Sequence, residues 1–343
     1  MTALRPLRSL RPLDTADDAA LAEAHRICAA ALQQGRPHAP VWSLAELAHT
    51  FRDPDPGEEA RLYGWFADGA MVGTGSLFLP LLDNREKAWL LVFVDPAAQG
   101  RGHGTALLAA LVAEAQAADR TTLLVEAFLP AGAGPAHPAH RMAARAGFEL
   151  ATNEVVRHLD LPVPEERLDA WCAEAAPHHE GYDVVTYVDD AVPDDVVASL
   201  VVLHGQLAVD APTGSVQWEE ERITPERFRA QRASSIASGL RMYETLAIAP
   251  DGAVAAQSTL AVRLADDDVA QWGTFVHREH RGHRLGLAVK AANLRAVQRA
   301  HPTASRVHTQ NEETNRWMIA INERMGFRPV EDCLAFVRNA ARP

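Results

Sequence analysis

The sequence contains one segment twice, and that repetition limits the folds open to it more than any other feature. Residues 91–112, LLVFVDPAAQGRGHGTALLAAL, return at 273–294 as GTFVHREHRGHRLGLAVKAANL. Val94 aligns with Val276, Gln99 with Arg281, Gly102 with Arg284 and Gly104 with Gly286, each pair 182 residues apart. The turn Asp68-Gly69 recurs as Asp251-Gly252 within one residue of that offset, and Gly147-Phe148 as Gly326-Phe327 within three. One offset held across such separated landmarks means a single plan of strands and helices built twice. The 343 residues give each copy the length of an ordinary domain. The expected division is 1–163 for the first domain, 164–180 for a linker with a short helix, and 181–343 for the second.

Each copy reads as the same order of elements. In the first, LRPLRSLRPL is a strand, 16–34 a helix with Asp14 and Thr15 as cap candidates, and Ser43 caps a second helix. Strands at 61–67 and 70–79 flank Asp68-Gly69, a strong hairpin signal. The apolar run 89–94 is a buried central strand, 105–118 a helix, 121–128 a strand, and a helix then runs to Gly147. Residues 155–161 are expected to close the first copy. The second copy repeats the order and is expected to close with the strand 333–337.

Composition removes several classes of function. The net charge of −12 argues against a nucleic-acid partner, which needs a cationic surface. Cys28, Cys172 and Cys333 are too far apart in sequence for a CxxC pair, so a reduced, cytoplasmic protein is expected. Apolar runs such as 88–94 and 196–203 fall short of the ~20 residues of a membrane helix, and the amino terminus lacks a signal-peptide pattern. No metal is called for. The chain is expected to be a monomer or homodimer.

The chemistry lies in VDPAAQGRGHGTALL, where a buried strand enters a glycine loop that opens into a helix. Orphan N–H groups at a helix start bind phosphate oxygens, and glycines let the backbone approach them. There is no GxxxxGK[ST] pattern, and Gln99-x-x-Gly102-x-Gly104 is one glycine short of GxGxxG. It resembles motif A of the GCN5-related N-acetyltransferases (GNAT), Q/R-x-x-G-x-G/A after a strand. The order of elements is also similar to that family, and both copies share it, as in tandem members of the mycothiol synthase type. The resemblance implies an α/β (α+β) chain of two tandem GNAT folds, each a mixed, mostly antiparallel twisted sheet flanked by helices and splayed at its central strands.

The resemblance further implies acetyl-CoA as co-substrate, its pyrophosphate on the loop Gln99, Gly100, Arg101, Gly102, His103, Gly104 and Thr105. The pantetheine arm would lie along Val92, Phe93 and Val94, where a backbone N–H would hold the oxyanion. The equivalent loop of the second copy is Val276, Arg281, Gly282, His283, Arg284, Leu285 and Gly286. There Arg284 replaces a glycine, and it either blocks the approach or adds a phosphate contact. The intact first loop is therefore the expected coenzyme site, although catalysis by the C-terminal copy stays open.

An alkyl ammonium must lose a proton before it attacks a thioester. Glu126 and His308 hold matching places on the following strand, so either is a candidate base. Each has an alternative as a structural strand residue. The tyrosine that many family members place four residues before the GF pair is Ala143 in one copy and Asn322 in the other. No general acid is assigned. Trp218 with Glu219, Glu220 and Glu221 offers an aromatic face beside three carboxylates, suited to a cation but also natural for a solvated loop before a helix. The function expected is acetyl transfer from acetyl-CoA to a primary amine of a small, cationic molecule, such as an antibiotic or other secondary metabolite. An acyl-CoA sensor without turnover is the rival class.

Overall fold

The computed structural model describes residues 8–210, 214–219 and 221–339, and these divide into two compact units. Met1–Asn153, Gly214–Val216 and Glu331–Pro343 bound the first; Glu154–Thr213 and Gln217–Val330 bound the second.

Unit 1 begins with strand β1 (Arg8–Pro12), then helices α1 (Asp18–Gln33) and α2 (Leu44–Arg52). Asp17 caps α1 by accepting from the N–H groups of Ala19 and Ala20, so the cap lies two to three residues beyond the expected Asp14 and Thr15. Ser43 and Glu46 close a reciprocal capping box on α2. Strands β2 (Glu58–Ala67) and β3 (Ala70–Pro80) form a hairpin whose turn residues, Asp68 and Gly69, have φ of 50° and 88°. A tight two-residue hairpin turn needs such left-handed values. Strand β4 (Lys87–Val94), helix α3 (His103–Ala117), strand β5 (Thr122–Pro130) and helix α4 (Pro138–Arg145) follow. Helix α3 buries Leu107, Leu108 and Leu111 against Leu77, Leu90 and Leu123 of the sheet.

Unit 2 repeats the plan. Helix α5 (Glu165–Ala175) precedes strand β7 (Asp183–Val188), helices α6 (Asp194–Asp210) and α7 (Pro225–Ala237), and strands β8 (Leu240–Ile248), β9 (Val254–Arg263) and β10 (Asp268–Val276). Helix α8 (Leu285–Ala300), strand β11 (Arg306–Glu312) and helix α9 (Arg316–Met325) complete it. Sheet pairing within each unit is antiparallel except for one central pair, β4–β5 in unit 1 and β10–β11 in unit 2. These parallel pairs are brief. The first runs from Lys87↔Thr122 to Leu90↔Val125; the second consists of Val269↔Val307 and Ala270↔His308. Beyond them the strands part, and the splay expected of each copy is present.

The copies exchange their closing strands. Strand β6 (Glu149–Asp160) was expected to finish the first copy, but its residues 154–160 pair antiparallel with β11 in unit 2. Strand β12 (Arg328–Asn339) was expected to finish the second, but its residues 331–339 pair with β5 in unit 1. The units thus differ from the expected 1–163 and 181–343. The expected linker helix is also part of a core, since Leu168 and Trp171 of α5 pack with Leu287 and Leu294 of α8.

In unit 1 the incoming strand is locked by charge. Arg36 donates to Glu331 at 2.6 Å, both side chains are over nine-tenths buried, and the guanidinium lies 4.9 Å from the Phe128 ring centroid. Removing one member leaves the other charge buried without its counter-ion. Glu331→Ala should cost about 3–5 kcal/mol of unfolding free energy, and Glu331→Gln less, because the amide still accepts from Arg36. Urea unfolding followed by tryptophan fluorescence measures both.

Candidate active site

In unit 1 the end of β4 and the start of α3 form a cradle. Past Leu90, β4 keeps its β3 partners, up to Gly73↔Val94, while its other edge is released from β5. Val92 and Phe93 are half-buried there and Val94 is buried. The Gln99 amide donates to the Val94 carbonyl at 3.1 Å and fixes the loop on the strand end. Gly100 and Gly102 have φ of 76° and 82°, and Gly102 is the residue capping α3. A β-carbon at Gly104 would meet Met142 Sδ at 3.3 Å and Val94 Cγ2 at 3.6 Å, so glycine lets the helix start sit on the strand.

Ala106 donates the first-turn bond of α3 to the Gly102 carbonyl. The N–H groups of His103, Gly104 and Thr105 precede it and have no intrahelical acceptor. Arg8 donates to the Arg101 carbonyl at 3.0 Å and reaches within 3.8 Å of where a Gly102 β-carbon would lie. Orphan N–H groups, a helix dipole and two guanidinium groups suit a pyrophosphate. The His103 side chain turns inward instead and accepts from Trp65 Nε1–H at 3.2 Å. Burial, then Arg8 and Arg101, holds its imidazole below the usual histidine range. His103 can therefore offer a ligand its backbone, not a side-chain charge.

Glu126 stands one residue past the last β4–β5 pair. Its surface is open to solvent, yet the protein packed around the carboxyl desolvates it and raises its pKa. That combination marks a group on the wall of a cleft. Among the described residues it has no ion-pair partner. Ala143 is buried in the core and supplies no acid.

The second loop keeps the backbone of the first. Gly282 and Arg284 have φ of 92° and 50°, and Arg284 caps α8 from the left-handed region that side chains seldom adopt. Its guanidinium neither blocks the loop nor waits for phosphate; it forms an ion pair with Glu174. His283 donates from Nδ1 to the His178 carbonyl at 2.9 Å, Leu285 is buried, and Val276 is half-buried. Gly286 repeats Gly104, since a β-carbon there would meet Ile321 Cδ1 at 3.1 Å. His308 lies opposite Ala270 with Nδ1 3.5 Å from Asp268 Oδ1. Burial opposes ionisation of Asp268, but His308 and Arg263 together hold its carboxyl below the usual value. Asn322 is fully buried and donates to Asn311 at 2.6 Å, a structural role.

Unit 2 also contains a cavity of about 450 Å³, lined in part by Trp218, Glu219 and Glu221; Glu220 lies outside the described residues. His204, Phe228, Arg232, Glu244 and Trp272 line it as well. None of these five was legible, because they come from α6, α7, β8 and β10 and share no spacing. Burial depresses the His204 pKa, and its Nε2 lies 2.5 Å from Gln257 Oε1. Arg232 donates to Glu244 at 2.6 Å, and the Thr259 hydroxyl donates to the same carboxylate.

Trp272 reaches the cavity through a bulge. Gln271 pairs with Leu260 and Gly273 with Thr259, which leaves Trp272 as the extra residue, 55% exposed. The Gln271 side-chain amide donates to the carbonyls of Thr259 and Gly273 at 2.7 and 2.8 Å. Lys290, buried on α8, donates to Gln271 Oε1 at 3.2 Å. At the 182-residue offset unit 1 has Trp89 and Leu108 instead, and its β3–β4 ladder runs from 73–94 to 78–89 without a shift. A glutamine and a lysine where the first copy has Trp89 and Leu108 were the signal.

Comparison with known proteins agrees with this geometry. The acetyltransferase (GNAT) family model matches residues 21–148. A tandem GNAT protein from the clavulanic acid biosynthesis pathway, solved without acetyl-CoA, is 26% identical with a TM-score of 0.78, and the match covers 98% of this chain and 100% of that one. Residues 21–148 belong to the GNAT acetyltransferase family, and the chain as a whole is similar to a tandem GNAT protein. A GCN5-related N-acetyltransferase from Sphaerobacter thermophilus shares the fold at 17% identity and TM-score 0.62, over 97% of this chain and 95% of that chain. So does a glucosamine N-acetyltransferase region of a fungal multi-domain β-N-acetylglucosaminidase, at 13% and 0.68, over 97% of this chain and 38% of that one. No curated protein matches the sequence. The chain is an acyltransferase, and the GNAT family that residues 21–148 match uses acetyl-CoA. Among the described residues no helix is long and apolar enough to cross a membrane, and no cluster of His, Cys, Asp and Glu could hold a metal ion.

Burial pulls the Lys290 pKa down to about 7. Below that pH the folded state holds a charge in the core. Between it and the ordinary lysine value near ~10.4, the unfolded chain binds the extra proton, so stability rises with pH. Lys290→Met should therefore raise stability by about 1–4 kcal/mol at pH 6, and the gain should shrink toward pH 10. Urea unfolding across that range tests it.

Proposed function

We propose that this GNAT chain moves the acetyl group of acetyl-CoA to a primary amine on a small cationic molecule, with the coenzyme on the N-terminal copy. The observation that carries this reading is the strand–loop–helix of unit 1: a released β4 edge, two left-handed glycines, and first-turn N–H groups beside Arg8 and Arg101. Gly100, Gly102, Gly104 and Thr105 would receive the pyrophosphate, and Val92, Phe93 and Val94 the pantetheine arm. Glu126, with its raised pKa, would take the proton of the attacking ammonium. The likeness to a tandem GNAT protein of clavulanic acid biosynthesis supports an acceptor from secondary metabolism.

A second reading, catalysis in the C-terminal copy, is favoured by one observation. The cavity with Glu219 and Glu221 lies beside the bulged, splayed strand β10, two of whose residues, Trp272 and Gly273, line it. In that copy His204, held neutral by burial, and His308, paired with Asp268, would be the bases.

Two matched substitutions separate the readings. Gly100 and Gly282 occupy equivalent positions, both left-handed, and a β-carbon at either meets nothing within 4 Å. Aspartate tolerates that conformation and brings a negative charge to the phosphate site. Calorimetry with acetyl-CoA should show Gly100→Asp weakening binding by about 100-fold, equivalent to 2.7 kcal/mol, and Gly282→Asp leaving it unchanged. The reverse result moves the coenzyme to the C-terminal copy.

The base is tested by turnover. Glu126→Gln should lower acetyl transfer at neutral pH by about 100-fold or more while coenzyme affinity holds. A loss of only a few-fold, with a larger loss in His308→Ala, would transfer the role to His308.

A further inference from the structure

The two faces of the sheet in unit 1 are covered unequally. On the α3 face, Leu77, Leu79, Leu90, Leu123 and Val125 are all buried. The registers Phe78↔Trp89 and Trp89↔Leu124 put Phe78 and Trp89 together on the opposite face. Side chains alternate along a strand, so Leu91 and Phe93 of β4 and Glu126 and Phe128 of β5 share that face. Helices α1 and α2 cover it incompletely: Phe78, Trp89, Leu91, Phe93 and Phe128 stay half-buried, and Glu126 is exposed. Two contacts carry the segment between those helices across the gap. Arg36 at its start lies over the Phe128 ring, and Trp42 at its end makes a T-shaped contact with Phe78, ring centroids 6.3 Å apart. Residues 36–42 therefore pass from β5 to β3 and roof the strand between them. Pro37 and Pro40 restrict the backbone of that roof.

The cleft between floor and roof offers one charge. Along 74–78, 89–93 and 124–128 the titratable side chain on this face is Glu126, and the other polar ones, Thr74 and Ser76, are buried. In the roof, Arg36 is neutralised by Glu331, and His38 is exposed to solvent. A second ammonium would lie on apolar surface without a counter-charge, and a polyhydroxylated ligand would leave hydroxyls unpaired there. An aromatic ring gives up no polar contact and takes apolar surface out of water. Trp89 lies beside Leu124, two residues before Glu126, so the Cα atoms of Trp89 and Glu126 are roughly 8 Å apart. A short alkyl chain between ring and amine spans that distance.

We propose that this cleft takes an arylalkylamine with a single positive charge as the acceptor. The ammonium sits at Glu126, and the ring lies between Trp89 in the floor and Trp42 in the roof. The chemistry rests on the acetyl-transfer reading above and narrows its acceptor. The C–N bond forms as the C–S bond of the thioester breaks. Of the two protons that leave nitrogen, one passes to Glu126 and on to solvent, and the other ends on the coenzyme A sulfur. Trp42 and Trp89 meet the acceptor through its ring alone, so they determine specificity.

Thiol release from acetyl-CoA by the full chain, compared across tryptamine, phenethylamine, ethylamine, spermidine and glucosamine, provides the test. Tryptamine and phenethylamine should exceed the other three in kcat/KM by about tenfold to 100-fold, the range expected for burying one aromatic group. Trp42 is 39% exposed and belongs to the roof, so Trp42→Ala should leave the fold intact. It should lower kcat/KM for tryptamine about tenfold through KM, with ethylamine turnover and acetyl-CoA affinity unchanged. Trp89→Leu, which keeps an apolar residue in the strand, should do the same. Spermidine or glucosamine as the better substrate would overturn the proposal, as would an equal loss for tryptamine and ethylamine, or no loss, in both variants. Calorimetry with tryptamine separates failure of the cleft from failure of acetyl transfer. Tryptamine that binds, weakens in Trp42→Ala and releases no thiol keeps the cleft and removes the transfer reading. Thiol release with another amine and no tryptamine binding keeps the transfer and overturns the cleft; neither binding nor release overturns both.

Discussion

Everything functional in each unit follows from one interaction that stops early. The central parallel pair forms four residue pairs in unit 1 and two in unit 2, and then the strands separate. Parallel strands inside a sheet are usually covered on both faces and paired along their length. Here the released edges of β4 and β10 keep only their antiparallel neighbours, and their free backbone groups need other partners. A strand-like ligand arm supplies such partners. The same separation leaves room for a helix start at the strand end, so the glycine loop and the open edge arise together. Gly104 and Gly286 are where that arrangement is tightest, because each lets helix, strand and the following helix meet without a β-carbon between them.

The copies share this frame and diverge in what they build on it. Unit 1 spends its polar groups at the loop, with Arg8 on the Arg101 carbonyl and Gln99 on Val94, while β4 stays regular. Unit 2 ties its loop arginine to Glu174 and places polar groups inside the sheet, where Gln271 satisfies the carbonyls that the bulge would otherwise strand. A buried lysine is an expensive way to hold one amide. Its retention on the buried face of α8 makes sense if the bulge matters, because Trp272, the extra residue of that bulge, lines the cavity.

Local signals were readable in the sequence. The hairpin at Asp68-Gly69, the cap at Ser43 and the glycine loops all depend on residues near each other, and local rules govern them. The cap of α1 was misplaced only because Asp14 and Asp17 compete, and Asp17 has the spacing to reach two helical N–H groups. What pairs across long separations was not readable. Residues 155–161 read as a strand, but the choice between β5 and β11 as its neighbour leaves no mark on periodicity. The cavity was half-legible: Trp218 and its glutamates stood out as a cluster, whereas Arg232 and Glu244, 12 residues apart on a helix and a strand, meet only in the fold. Likewise Arg284 read as either an obstacle or a phosphate contact, because nothing in the chain announces Glu174 as its partner.

The exchanged closing strands add a consequence for how the two repeats can be related. Each unit's sheet is finished by residues encoded at the end of the other repeat, 331–339 on β5 and 154–160 on β11. A repeat cut from the chain at its sequence boundary would carry its own loop and helices but lack the strand its sheet requires, and would carry a strand whose partner had gone. The unpaired edge of β5 would then expose Val125 and Leu129, now in the core, to other strands. Arg36 would lose Glu331 and leave a guanidinium buried beside Phe128 without a counter-ion. Two copies built this way are free to change their loops and cavities independently, as Gly102 and Arg284 have. Their sheets are not independent, so the pair is kept together by backbone hydrogen bonding even where the chemistry of one copy has moved away from the other.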